Sequence, residues 1–120
     1  MAMYNNVAQQ NNAFGYKALY ANTSGEANLG IGCHTLMDST TGSYNIAVGH
    51  NGLYENTTGT RNTCVGVNSL YENTTQTDNT AMGYLTLRNN LGNQNTAIGS
   101  YALALATGSS RNVALGHAAG

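Results

Sequence analysis

Asn45-Ile46-Ala47-Val48-Gly49-His50-Asn51-Gly52-Leu53-Tyr54-Glu55-Asn56-Thr57-Thr58-Gly59-Thr60-Arg61 runs without a break into Asn62-Thr63-Cys64-Val65-Gly66-Val67-Asn68-Ser69-Leu70-Tyr71-Glu72-Asn73-Thr74-Thr75-Gln76-Thr77-Asp78. The two stretches have the same length and carry the same residue, or one of its size, at most positions. Their shared opening, Asn-x-small-apolar-Gly, recurs outward in both directions. It begins at Asn11 and Asn28 before this pair, and at Asn79, Asn95 and Asn112 after it. A leucine follows eight residues later in six of the units: Leu19, Leu36, Leu53, Leu70, Leu87 and Leu103. Self-similarity at a fixed period decides the architecture, because each unit is then one structural turn that cannot bury its apolar face alone.

The apolar segments within a unit are about five residues long and are separated by Gly or Asn-Thr-Gly turns. A helix needs about ten residues, so the units read as short strands. The expected fold is all-β: a parallel β-solenoid of about 17-residue repeats. Residues 11–120 form a seven-start repeat domain whose last unit is truncated. Residues 1–10 are a degenerate partial repeat acting as an N-terminal cap, with Asn5 aligned to Asn22. The repeat framework is carried by Asn45, Gly49 and Leu53, Asn62, Gly66 and Leu70, and Asn95, Gly99 and Leu103.

Side chains alternate along a strand. The fourth-position column (Phe14, Ile31, Val48, Val65, Met82, Ile98, Leu115) is expected to point inward and meet the leucines. The small third-position column (Ala13, Gly30, Ala47, Cys64, Ala81, Ala97, Ala114) is expected to point outward. A coil this narrow has a thin core, and a small-residue face suits close approach of another backbone. The sequence therefore predicts a parallel homotrimer with the small column at its axis. The stacked starting asparagines are expected to form a hydrogen-bonded ladder or to occupy left-handed turns. With 15 glycines and no proline, the turns are expected to use Gly and Asn at positive φ.

Composition narrows function. Charged residues are 8% of the chain and the net charge is −1, so there is no basic footprint for nucleic acid. No stretch reaches the ~18 apolar residues of a membrane span, so no membrane insertion is expected, and Met1 to Gln10 lacks the regions of a signal peptide. Cys33 and Cys64 form no CxxC pair and read as small hydrophobes. His50 and His117 share a register but lie four coils apart, too far to share an ion within one chain; the three histidines read as ordinary surface or packed residues, with three copies of His50 meeting at a trimer axis to bind a metal or anion as the alternative. No cofactor, metal site or catalytic residue is implied. Tyr20, Tyr54 and Tyr71 form a column beside Glu55 and Glu72. This column is either a stacked cover for the leucines or a contact for sugar rings and hydroxyls. The carboxylates lack any cleft for glycosidase chemistry. The sequons at Asn22, Asn56 and Asn73 follow from the repeat and carry little weight. Thr23, Thr40, Thr57 and Thr74, beside Thr41, Thr58 and Thr75, form a threonine array that raises ice binding as an alternative.

The run Asn95-Thr96-Ala97-Ile98-Gly99 with Ala102-Leu103 resembles the repeats of phage and other viral tail fibres, which read Asn-Thr-Ala-x-Gly-Tyr-x-Ala-Leu-Tyr-x-Asn-Thr-Thr-Gly. The units Asn45 to Arg61 and Asn62 to Asp78 match that pattern over nearly their whole length. The core x-Ala-Ile-Gly is also similar to the head of trimeric autotransporter adhesins (YadA-like), whose unit is shorter. The resemblance implies a left-handed parallel β-roll, trimeric, at a virion surface or a bacterial cell surface. It implies a structural or adhesive role that displays or contacts a host receptor, either glycan or protein. A scaffold engineered from such a fibre is a further alternative.

Overall fold

A computed structural model describes residues 8–120. Of the expected cap, residues 1–7 lie outside the described residues. Among the described residues there are seven strands of three residues each: β1 (Asn12–Phe14), β2 (Leu29–Ile31), β3 (Ile46–Val48), β4 (Thr63–Val65), β5 (Thr80–Met82), β6 (Thr96–Ile98) and β7 (Val113–Leu115). They pair in chain order as one parallel sheet. The register follows the repeat residue for residue: Ala47 opposes Cys64, Cys64 opposes Ala81, and Ala81 opposes Ala97 across the shorter unit. The result is an all-β solenoid measuring 38 × 21 × 17 Å, in which each turn of chain rests on the next.

The orientation of the sheet is the reverse of the expectation. Ala47, Cys64, Ala81 and Ala97 are fully buried, together with Leu19, Leu36, Leu53, Leu70 and Leu87. The large column faces out, with Phe14 64% exposed, Met82 44%, Ile98 42% and Leu115 67%. Interior width explains this. The wall opposite the strand is formed by Ala18, Thr35, Gly52, Ser69, Thr86 and Ala102, all buried. A Cβ added to Gly30 would sit 2.8 Å from Thr35 Oγ1 and 3.7 Å from Ala18 Cβ. Little more than a methyl group fits at the third position once one leucine per turn has filled the coil.

The two walls match volumes turn by turn. A Cβ on Gly52 would lie 2.8 Å from Cys64 Sγ, so the missing methyl on one wall makes room for the sulfur on the other. Gly52→Ala is therefore expected to cost about 1–3 kcal/mol by overpacking. Adding Cys64→Ala, the residue found elsewhere in that column, is expected to recover most of this loss. Urea midpoints of the two single variants and the double variant measure the coupling; strictly additive effects would show that the two walls do not touch.

The corners also depart from expectation. Positive φ is not confined to Gly and Asn. The six repeat leucines lie between 47° and 52°, and Ala27, Tyr44, Arg61, Asp78, Gln94 and Arg111 precede the starting asparagines with φ of 54–62°. Asn51 and Asn68 fit the expectation, but the starting asparagines are not among these residues. A non-glycine residue in this region costs about 1–2 kcal/mol. The leucines bear it because their amides are held by the next turn, as in Leu36 N–H to the Gly52 carbonyl at 3.0 Å, and because full burial of all but Leu103 returns about 1.5–3 kcal/mol per side chain. Inter-turn bonds of this kind recur around each unit, so proline would remove a needed donor at most positions.

Candidate functional site

The ladder option for the starting asparagines is the one realised, and it does two jobs. Asn45 Nδ2 donates to the Gly59 carbonyl at 2.8 Å, closing its own turn, while Asn45 Oδ1 accepts the main-chain N–H of Asn62 at 3.0 Å. Asn28, Asn62, Asn79 and Asn95 repeat the arrangement. A second buried amide column runs alongside: Asn73 Nδ2 donates to Asn56 Oδ1 at 3.0 Å and Asn90 Nδ2 to Asn73 Oδ1 at 3.1 Å. Asn22, Asn56 and Asn73 of the sequons are fully buried, and their amides are structural groups closed to glycan attachment in the folded chain.

The threonine column is similarly occupied. Thr23, Thr40 and Thr57 each donate their hydroxyl to the carbonyl of the threonine one turn on, at 3.1–3.2 Å. These donors serve the main chain, and the column lies in bends rather than on the sheet, which removes support from a flat water-ordering array.

The tyrosine column forms an outer ridge. Tyr54 and Tyr71 stack face to face, with centroids 5.0 Å apart and planes 5° from parallel. Arg88 lies 6.0 Å from the Tyr71 ring and Lys17 5.3 Å from the Tyr20 ring. His34 meets Tyr54 edge-on at 6.1 Å. Glu55, Glu72 and Asp38 flank the ridge. Burial, together with the charges of Glu72 and Asp38, raises the Glu55 carboxyl above its ordinary value against the pull of Arg88. Burial alone raises Asp38. Burial, then the neighbouring Tyr54 and Glu55, raises the Tyr71 hydroxyl. Glu72 accepts from Asn89 Nδ2 at 2.8 Å. The ring faces are largely taken up by one another and by cations. What Tyr20, Tyr54, Tyr71, Glu55 and Glu72 offer outward is hydroxyls, ring edges and carboxylates.

A second cluster sits at the neighbouring corner and was not anticipated. Cys33, His34 and His50 place one ligand-type atom each within 4.8 Å of one another. Cys33 and His34 are half-buried and His50 is exposed. The sequence signal was present: His50 follows Cys33 by one 17-residue turn and so stacks on it. Pairing His50 with distant His117 hid that neighbour. Cys64, by contrast, is fully buried and its thiol is pushed up to about 12 by burial, leaving it inert at neutral pH. Neither cysteine is in a disulfide.

No family model, curated protein or solved structure matches the chain.

Proposed function

We propose that this chain is a structural and adhesive segment of a trimeric surface fibre, of tail-fibre or adhesin-head type, built as a left-handed β-roll. It works by holding or presenting a contact surface to a host receptor, glycan or protein, at a virion or bacterial surface, and not by catalysis. The observation that carries this reading is the outward strand face. Phe14, Ile31, Val65, Met82, Ile98 and Leu115 stand exposed, with Ile46 and Val113 beside them and half-buried Val48 completing the column. Monomers rarely leave contiguous apolar patches of that kind uncovered. A second and third copy present the same column at the same pitch, so parallel chains in register match every step, and three-fold closure leaves no copy with an open face.

This face takes the axial role that the sequence assigned to the small column, which the coil uses for its own core. The repeat resemblance supports the same oligomer. The tyrosine–carboxylate ridge lies on another part of the coil and suits receptor contact through hydrogen bonds more than ring stacking.

Val65→Lys combined with Met82→Lys is the direct test. Both positions are exposed in the single chain, so the far-ultraviolet circular dichroism of the variant is expected to match that of the parent. Sedimentation is expected to give three chains for the parent and one for the variant. A parent that sediments as a folded single chain sinks the trimer, as does a variant that stays trimeric.

A further inference from the structure

We propose that Cys33, His34 and His50 form a mononuclear site for a borderline d-block cation, with zinc the best match, leaving one coordination position open to solvent. The argument begins with the backbone. In a strand, consecutive side chains point to opposite faces, and Cys33 and His34 could not share an ion. His34 instead has φ of 58°, which bends the chain at the corner after β2 and allows both side chains onto one side. His50 arrives from the turn above in the same column as Cys33.

The frame behind the three residues is fixed. His34 N–H donates to the Tyr16 carbonyl at 2.8 Å, Asn51 N–H to the Cys33 carbonyl at 3.0 Å, and Gly49 N–H to the Ile31 carbonyl at 2.8 Å. Tyr16 and Tyr54 wall in the His34 ring, edge-on at 5.4 and 6.1 Å, leaving side-chain rotation as the main adjustment.

The donor set selects the ion. One thiolate and two imidazoles suit zinc and its neighbours, with bonds of about 2.3 Å to sulfur and about 2.0–2.1 Å to nitrogen. Magnesium and calcium, which want oxygen ligands, are poorly served. Spacing within 4.8 Å exceeds the ligand–ligand separation in a tetrahedral site by little enough for rotamer shifts to close. Binding releases the thiol proton to solvent as the thiolate forms its bond to the metal. Three protein ligands with a fourth position free is the pattern of open rather than sealed zinc sites.

The repeat supplies replacements that its own corners already accept. Ser100 occupies the column of Cys33 and His50, and Asn51 and Asn68 occupy the column of His34, both at positive φ. Cys33→Ser, His50→Ser and His34→Asn should therefore leave the solenoid intact, with unchanged circular dichroism as the control.

The experiment titrates untagged, reduced protein with Zn²⁺ by calorimetry and with Co²⁺ by absorbance. The expected result is one ion per chain, with a thiolate-to-cobalt charge-transfer band and the intense visible bands of a four-coordinate ion. Cys33→Ser is expected to abolish the charge-transfer band. Cys33→Ser with His50→Ser is expected to weaken Zn²⁺ binding by more than the ~10–100-fold that loss of a supporting residue causes, while His117→Ser changes nothing. Uptake that survives the double variant, or an effect of His117→Ser equal to that of His50→Ser, overturns the assignment. One ion per three chains does so too, because it places the metal on an oligomer axis. The stoichiometry per chain is the same whether or not the fibre reading holds.

Discussion

Asn62→Leu is expected to destabilise the chain by about 2–5 kcal/mol although leucine keeps the branched heavy-atom outline of asparagine. Asn62 is fully buried. Its Oδ1 accepts the Asn79 main-chain N–H at 3.0 Å, and its Nδ2 donates to the Gln76 carbonyl at 2.8 Å and to Asn45 Oδ1 at 3.2 Å. Leucine strands the Asn79 donor outright and leaves the Gln76 carbonyl with only the longer 3.3 Å bond from Asn73. Each orphaned buried group costs about 1–3 kcal/mol. Against a total stability of about 5–15 kcal/mol, and at about 4 °C per kcal/mol, thermal midpoints compared at one protein concentration are expected to fall by about 10–20 °C.

Asn62→Asp separates hydrogen bonding from size. The carboxylate keeps the acceptor for Asn79 but turns an oxygen toward the Gln76 carbonyl and Asn45 Oδ1, where the amide donated. Burial, with the second oxygen facing acceptors instead of donors, raises its folded pKa above the unfolded value of about 3.9. The unfolded chain therefore gives up its proton first as pH rises, and stability relative to the parent is retained below about pH 4 and lost above it. An Asn62→Leu midpoint within about 1 kcal/mol of the parent, or an Asn62→Asp deficit that ignores pH, would mean that the amide column does not hold the turns together.

What the sequence revealed and what it hid divide along a physical line. Register was legible because the starting asparagines and leucines recur at one spacing, and stacking like on like fixes every strand pair, including β5 on β6 across the shortened unit. The facing of the strand was harder to read. Three residues such as Thr63-Cys64-Val65 give no polar–apolar alternation to orient, and hydrophobicity alone points the larger side chain inward. Size held the answer: the third position never exceeds cysteine, and only the interior of a 17-residue coil demands that of every turn. The left-handed leucines were not legible at all, since local propensity gives such corners to glycine and asparagine, and only inter-turn bonding and burial override it. The Cys33–His34–His50 cluster was readable from stacking, yet it needs two adjacent columns to be compared rather than one.

Gly49→Ala is expected to damage the fold far more than the same methyl at Gly116, and the comparison of the two corners shows why. Gly49 has φ of +127°, and a Cβ there would lie 2.6 Å from the Gly66 carbonyl oxygen and 2.8 Å from its carbon. Gly116 occupies the same register with φ of +117°, but a Cβ there meets nothing within 4 Å. Conformational strain is common to both and is expected to cost at most about 1–3 kcal/mol. The encounter with main chain belongs to Gly49 alone. No rotamer relieves it, and it adds about 1–3 kcal/mol in the manner of overpacking.

The damage should also be local in a way that a globular core would not allow. A solenoid is held by nearest-neighbour interfaces, and the methyl wedges β3 from β4. The Gly66 N–H, bonded to the Val48 carbonyl at 2.8 Å, and the Asn68 N–H, bonded to the His50 carbonyl at 2.9 Å, are expected to lose hydrogen-exchange protection first. The equivalent amides between β5 and β6, Gly99 to Met82 and Tyr101 to Tyr84, should hold longer. Equal losses from Gly49→Ala and Gly116→Ala would leave strain as the whole cost and remove close backbone approach as the reason glycine stands at this corner in every turn.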